Sequence, residues 1–142
     1  MSNNGRNPML WDCSKSGCFN QKRRPKIEVF AECLPGKIAF SDVDAITEVN
    51  GRALVIEWKG APTALSIGQS LMWKRFTKTC DFTVLCIAGD AETMDISHIR
   101  WCYGGVWDSH WQTADMQHVK DMISEWGAEA MKSSPRAHGV VG

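Results

Sequence analysis

The chain has 142 residues, of which 44% are hydrophobic, and its 16 basic and 16 acidic side chains give a formal net charge of zero. This length and composition predict one globular domain with a substantial core, and the zero net charge excludes nucleic-acid binding through uniform basicity, leaving only local basic patches. No apolar run is long enough to span a membrane and the polar N-terminus lacks the apolar stretch of a signal peptide, so we expect a cytoplasmic protein.

The hydrophobic periodicity predicts helices and strands that alternate along the chain. Apolar residues recur at helical spacing in some segments, whereas the continuous run FTVLCIA is typical of a strand buried on both faces. In chain order we predict a flexible leader (1–9), a helix (25–34), two strands (37–49 and 52–59), a helix (66–79), a buried strand (82–88), a strand or hairpin (98–106), a helix (113–131) and a flexible tail (133–142). Ile67, Leu71 and Phe76 are the expected inward side chains of the second helix. This order predicts an α/β fold, a single domain over residues 10–132 with a mixed central β-sheet flanked by helices.

The most informative segment is FSDVDAITEVNGRALVIEWK, in which Asn50-Gly51 separates two strand-like sequences. Asn-Gly is a strong hairpin signal because a type I′ turn needs two residues that tolerate positive φ. A two-residue loop places Val49 opposite Arg52 and so determines the pairing of every residue along the two strands. A three-residue bulged loop would break this register.

In that register the hairpin collects charged side chains on one face. Asp44 lies opposite Glu57 and Asp42 lies opposite Lys59, and because side chains alternate along a strand, all of them point the same way. Two carboxylates directly opposite each other have Cβ atoms about 5 Å apart, and this like-charge pair is destabilising. A hard divalent cation would offset the repulsion, since Mg²⁺ is bound in proteins by one or two carboxylates together with phosphate oxygens.

Lys59 adds a positive charge to this face, two residues after Glu57. Such a lysine would orient an attacking water or stabilise negative charge that develops on phosphate. The alternative interpretation is a solvated strand face on which Asp42 and Lys59 form a surface ion pair, because an E-x-K triplet alone carries little information. The register of Asp44, the apolar second strand and the buried strand that follows favour the metal site.

The same segment resembles the core of the PD-(D/E)XK nuclease superfamily, which includes restriction enzymes, archaeal Holliday-junction resolvases and VRR-NUC domains. In that pattern an acidic residue on one strand of a hairpin accompanies an E-x-K on the next strand, here Asp44 and Glu57-Trp58-Lys59. The resemblance implies a restriction-endonuclease-like core and Mg²⁺- or Mn²⁺-dependent hydrolysis of DNA. It also implies that Asp44, Glu57 and the carbonyl of Trp58 bind the metal ion.

Further positions follow from the resemblance. Val43 stands where the pattern has its proline, which leaves Asp42 as a rival for the acidic residue. Many members carry a glutamate on the helix before the hairpin, which points to Glu28, with Glu32 second. Several also carry a glutamine on the following helix, which points to Gln69 as a residue that assists the lysine or contacts phosphate. For both positions a solvated helix residue is the alternative.

Two basic clusters flank the expected site in the sequence. They contain Arg23, Arg24 and Lys26 around the start of the first helix, and Lys74, Arg75 and Lys78 on the second. We expect them to contact the phosphate backbone of DNA, because no base-reading motif is present and backbone contacts carry no sequence information. The alternative is an ordinary solvated surface. The sequence also resembles phage-encoded proteins, and by analogy with members that cut both strands a homodimer is a further expectation.

Two other classes of function stay open. The first is a nuclease fold that no longer cuts and only binds nucleic acid or a protein partner. The second is a zinc-stabilised interaction protein built on Cys13 and Cys18, although their spacing lies outside the tight C-x₂-C pattern. Cysteines of a cytoplasmic protein are expected as reduced thiols or metal ligands. Trp101, Trp107 and Trp111 are expected to be structural, with stacking on unpaired bases as the alternative.

Overall fold

The computed structural model describes Pro25, residues 27–38 and residues 40–134. The chain divides into two compact units, with the boundary between residues 41 and 42. In the first unit a 3₁₀ helix spans Ile27–Cys33, where the sequence predicted an α-helix over residues 25–34. Two β-branched residues lie in its first turn, and so short a segment gains few α-helical hydrogen bonds, which favours the tighter turn.

The second unit has an α/β fold with a six-stranded mixed sheet and two flanking helices, which confirms the predicted fold class at this level. Its elements are β1 (Ala45–Val49), β2 (Arg52–Lys59), α1 (Ile67–Thr79), β3 (Phe82–Asp90), β4 (Asp95–Tyr103), β5 (Val106–Trp107), β6 (Gln112–Thr113) and α2 (Met116–Lys132). The strand order is β1-β2-β3-β4-β5, and β6 pairs with β4. Strands β2 and β3 are parallel and connected through α1, whereas the other pairs are antiparallel.

The hairpin of β1 and β2 has the predicted register. Val49 pairs with Arg52, and the two loop residues have the positive φ values of a type I′ turn, 53° at Asn50 and 85° at Gly51. The side-chain amide of Asn50 also donates hydrogen bonds to the carbonyls of Ala130 and Ser133, over 3.1 and 3.0 Å. The turn is thereby attached to the C-terminal end of α2.

Strand β1 is shorter than the prediction of residues 37–49. It begins at Ala45, and the described residues before that position form no strand. The N–H of Trp58 donates to the side chain of Asp44, over 2.6 Å. Because this bond takes the place of the backbone bond that would continue the ladder, the pairing of β1 with β2 stops at Ala45.

The sheet carries one apolar core on each face. Leu54 of β2 packs with α2 through Val119, and Val55 packs with α1 through Trp73. All residues of β3 from Thr83 to Gly89 are buried, as the continuous apolar run predicted. Among the described residues, no helix has the length and apolar character that a membrane crossing requires.

Helix α1 turns a different side to the sheet from the one predicted. Ile67 is 81% exposed, and Leu71 and Phe76 are also exposed, so the expected inward stripe was wrong. The buried residues are Trp73 and Thr77, which follow Gln69 at intervals of four. The helix is therefore rotated so that Gln69 lies against the sheet.

Candidate active site

The predicted catalytic residues of the hairpin lie on the face of the sheet that α1 covers. Glu57 and Lys59 share this face with Val55, which packs against Trp73 of α1. Glu57 is only 5% exposed, and Lys59 is half-buried at the end of β2. A carboxylate buried this far requires hydrogen-bond partners or a compensating charge.

Asp44 and Glu57 are connected through the backbone of both strands. The N–H of Asp44 donates to Oε1 of Glu57, over 3.3 Å, and the Asp44 carboxylate accepts from the N–H of Trp58. In an extended strand the N–H and C=O of one residue point to the same side, so the carbonyl of Trp58 faces the Asp44 side. The indole of Trp58 packs on the opposite face and donates to the carbonyl of Gly89, over 3.1 Å.

Gln69 joins the glutamate to the lysine. Its Nε2 donates to Oε2 of Glu57, over 2.6 Å, and its Oε1 accepts from Nζ of Lys59, over 3.2 Å. Ser66 caps α1 and accepts from the backbone N–H of Gln69. The cap sets the start of the helix, which places Gln69 in the first turn and within reach of the end of β2.

The electrostatics of the site favour an added positive charge. Burial raises the pKa of the Glu57 carboxyl above its ordinary value of 4.5, and the nearby charge of Asp44 raises it further. The hydrogen bond from the Asp44 N–H, the charge of Lys59 and the bond from Gln69 lower this pKa, but they do not reverse the shift. Burial also raises the pKa of the neighbouring Cys86 thiol to about 12, so that this thiol is neutral near pH 7.

The donor set of the site suits a hard divalent cation. The described residues contain no group of three or more His, Cys, Asp or Glu side chains that could hold a metal ion. Mg²⁺ does not need such a group, because it commonly keeps several waters and binds through one or two carboxylates and substrate phosphates. Asp44, Glu57 and the carbonyl of Trp58 would be the oxygen ligands, and a bound cation would offset the burial and the nearby Asp44 charge that raise the pKa of Glu57.

The structure brings together four of the predicted residues and separates Asp42 from them. Asp44, Glu57, Lys59 and Gln69 form one hydrogen-bonded set. Asp42 is exposed and precedes β1, so the hairpin register does not extend to it, and Lys59 bonds to Gln69 rather than to Asp42. Between the rival acids, the geometry favours Asp44.

The remaining predicted residues are not members of this hydrogen-bonded set, and several of them lie outside the described residues. Glu28 is in the 3₁₀ helix of the first unit, and its side chain lies outside the described part of the chain. The predicted positions that also lie outside it are Arg23, Arg24 and Lys26, and the cysteines Cys13 and Cys18. The basic residues of α1 are exposed, namely Lys74, Arg75 and Lys78. Trp101 and Trp107 pack on opposite faces of the sheet, so they form no common stacking surface.

Sequence reasoning missed Arg100, which lies on the same face as the candidate site. It pairs with Cys86 of β3, and Cys86 pairs with Glu57 of β2. The available signal was a charged residue between the apolar residues Ile99 and Trp101. Its position beside the site required the register of three strands, which the sequence alone does not reveal.

Comparison of the chain with protein-family models, with curated protein sequences and with solved structures found no match in any of the three. An inference of function therefore rests on the geometry of the site. The strongest element of that geometry is the bonded set of Asp44, Glu57, Lys59 and Gln69 at the junction of β2 and α1.

Proposed function

We propose that this protein is a Mg²⁺- or Mn²⁺-dependent nuclease that hydrolyses DNA phosphodiester bonds on a restriction-endonuclease-like core. One observation carries the proposal: Gln69 holds Glu57 and Lys59 together, next to the carboxylate of Asp44, the residue that precedes β1. Acid, glutamate and lysine are the groups that the resemblance to PD-(D/E)XK nucleases requires. A mere surface ion pair would not explain a glutamate that is 5% exposed beside another carboxylate.

Asp44 and Glu57 would hold the metal ion, with the carbonyl of Trp58 as a further ligand. When bound, the ion supplies Lewis-acid stabilisation of the negative charge that develops on the phosphate oxygens. The N–H of Trp58 orients the Asp44 carboxylate, and the N–H of Asp44 together with the amide of Gln69 orients Glu57. Both ligands are thus positioned before substrate binds, which lowers the cost of organising the site.

Lys59 would act on the attacking water or on a non-bridging phosphate oxygen. Its ammonium group has three N–H donors, and the bond to Gln69 uses one of them. Within the described residues the other two form no hydrogen bond, and they would bind the water and stabilise charge as the water attacks phosphorus and one P–O ester bond breaks. Gln69 acts as a positioning residue, because it bonds to Lys59 and Glu57 rather than to the reacting atoms.

Recognition of DNA would depend on its backbone rather than on its base sequence. Lys74, Arg75 and Lys78 are exposed on α1, the helix that carries Gln69. We include them as phosphate contacts, together with the N-terminal basic cluster, because phosphate contacts dominate affinity for nucleic acid. We also propose that the protein forms a homodimer, is located in the cytoplasm and is encoded by a phage.

The test is cleavage of a labelled panel of single-stranded, duplex, nicked and branched DNA, with RNA counterparts, in Mg²⁺, Mn²⁺ or EDTA. Wild-type protein is compared with Lys59→Ala and with Lys132→Ala, which removes an exposed charge at the end of α2 on the opposite face. We expect metal-dependent cutting that falls by about 100-fold or more in Lys59→Ala and is unchanged in Lys132→Ala.

Each other outcome has a definite meaning. Cutting at the wild-type rate by Lys59→Ala would contradict the assigned site. Binding of the panel by folded protein without any cutting would replace the nuclease with a module that only binds nucleic acid. Cutting in EDTA at the same rate as in Mg²⁺ would contradict the metal requirement.

A further inference from the structure

Arg100 is a basic side chain near the candidate site to which the proposed mechanism gives no role. Through the pairing of β2, β3 and β4, it forms one row with Glu57 and Cys86 across the face that α1 covers. Neighbouring strands are about 4.8 Å apart, so the Cα atoms of Arg100 and Glu57 are separated by roughly 10 Å. Arg100 is therefore close to the candidate site, but among the described residues it forms no hydrogen bond to Asp44, Glu57, Lys59 or Gln69.

The guanidinium of Arg100 is held in position by its surroundings. Its Nε donates to the carbonyl of Asp108, over 2.8 Å, and its central carbon lies 5.8 Å from the ring centroid of Trp107. Trp107 is itself fixed by a hydrogen bond from its indole N–H to the carbonyl of Ser70 in α1. The side chain is therefore pre-organised, and its two Nη groups form no hydrogen bond within the described part of the chain.

The charge of Arg100 lacks an anionic partner among the described residues. The Asp108 carboxylate, which is close in sequence to the carbonyl that Arg100 contacts, accepts instead from the backbone of Trp101 and the amide of Gln112. The salt bridges within the described residues join Arg52 to Asp81 and Lys132 to Glu129. A half-buried guanidinium without a carboxylate partner is suited to binding an anion from outside the protein.

We propose that Arg100 contacts a backbone phosphate near the scissile one, on the side of the site where Trp107 lies. This inference rests on the proposed function, because it takes DNA as the anion. The two Nη groups would bind that phosphate while Nε remains on Asp108.

The experiment measures binding without cleavage, by fluorescence anisotropy of labelled duplex and single-stranded DNA in Ca²⁺ over a range of KCl concentrations. Wild type is compared with Arg100→Gln, Arg100→Lys and Lys132→Gln, the last being the control for net charge. We expect Arg100→Gln to raise Kd about fivefold to tenfold at low salt and to reduce the slope of log K against log [KCl] by about one. Lys132→Gln should match the wild type in both quantities.

Arg100→Lys distinguishes a phosphate contact from a purely structural role, in which Arg100 would only hold the end of β5 through its contacts with Trp107 and Asp108. It keeps the positive charge, so the salt slope should be unchanged, but Kd should rise a few-fold because lysine lacks the forked donor geometry. If Arg100→Gln fails to fold, Arg100→Lys alone decides, and wild-type affinity in that variant overturns the proposal. A folded Arg100→Gln with the wild-type Kd and salt slope also overturns it.

The failure of this inference is distinguishable from the failure of the proposed function. A wild-type protein that binds DNA in Ca²⁺ but cuts nothing in Mg²⁺ or Mn²⁺ removes the nuclease activity. In that case the slope of log K against log [KCl] for Arg100→Gln still tests the Arg100 contact: a reduced slope supports it and a wild-type slope overturns it. A wild-type protein that binds none of the probes overturns both.

Discussion

Gln69 and Glu57 are joined by a 2.6 Å hydrogen bond between the side-chain amide of the first and the carboxylate of the second. Ser66 and Gln69 have the spacing of a capping box, in which the glutamine would bond back to the backbone N–H of the cap residue. Here the Gln69 amide bonds to the sheet instead, to Glu57 with its nitrogen and to Lys59 with its oxygen. The helix therefore contributes a positioning residue to the site at the place where sequence rules predict a cap.

Gln69→Ala is expected to reduce DNA cleavage about 10-fold to 100-fold, because both Glu57 and Lys59 lose a positioning bond. The free energy of unfolding should fall by about 1–3 kcal/mol, because the buried Glu57 carboxylate loses a hydrogen-bond partner. Single-turnover cleavage and urea denaturation give the two quantities. Gln117→Ala, which removes an exposed amide bonded to Asp121 on α2, is the control and should leave cleavage unchanged. Equal rates for the two variants would count against the positioning role.

Asp44→Asn and Asp42→Asn form a matched pair that tests which acid serves the site. Asparagine at position 44 can still accept from the N–H of Trp58, so the fold should be retained while the negative charge is lost. We expect cleavage to fall by about 100-fold or more in Asp44→Asn and to stay within about twofold of wild type in Asp42→Asn. The reverse result, measured with equal protein and metal concentrations, would assign the metal ligand to Asp42.

Glu57→Gln tests the cost of ionising this buried carboxyl beside Asp44, through the pH dependence of stability. The folded-state pKa of Glu57 lies above its ordinary value of 4.5, so folding favours the protonated carboxyl. That stabilisation is present below the unfolded pKa and is lost as pH rises through the folded pKa. Glutamine lacks this titration, so without metal Glu57→Gln should become more stable relative to wild type as pH rises from about 4 to about 8.

Urea denaturation of both proteins at several pH values, followed by tryptophan fluorescence, measures this difference. Added Mn²⁺ should stabilise the wild type at the higher pH and leave Glu57→Gln unaffected, because the cation offsets the charge that the variant lacks. If the difference in unfolding free energy between the two proteins does not change with pH, ionisation of the Glu57 carboxyl does not destabilise the fold. Equal stabilisation of both proteins by Mn²⁺ would place the cation elsewhere.

Asn50 connects the hairpin turn to the end of α2, and two substitutions separate its roles. Asn50→Gly keeps the backbone free to adopt the φ of 53° but removes the bonds to Ala130 and Ser133, so it should cost about 1–2 kcal/mol. Asn50→Ala should cost about 1 kcal/mol more, because alanine is strained at positive φ. Thermal and urea unfolding measure both. If the alanine variant is as stable as the glycine variant, positive φ at position 50 does not strain alanine.

Local rules in the sequence determined the hairpin and the core of the candidate site. Asn50-Gly51 specifies a two-residue loop, and the period of two along each strand then brings Asp44 and Glu57 together. The buried β3 followed equally from its unbroken apolar run. The length of β1 could not be predicted from the sequence. The side chain of Asp44 replaces a backbone hydrogen bond that a prediction from strand propensity assumes to be present.

The rest of the site was decided by tertiary contacts. The apolar spacing of α1 predicted that Ile67 and Leu71 face the sheet, but Gln69 and Trp73 do so instead. The hydrogen bonds of Gln69 to Glu57 and Lys59, together with the packing of the large Trp73 indole, outweigh the few apolar residues on the predicted side. Arg100 stands in line with Glu57 only through the parallel pairing of β2 with β3 and the antiparallel pairing of β3 with β4. Such long-range register depends on how the crossover helix packs against the sheet, and no local pattern along the chain encodes it.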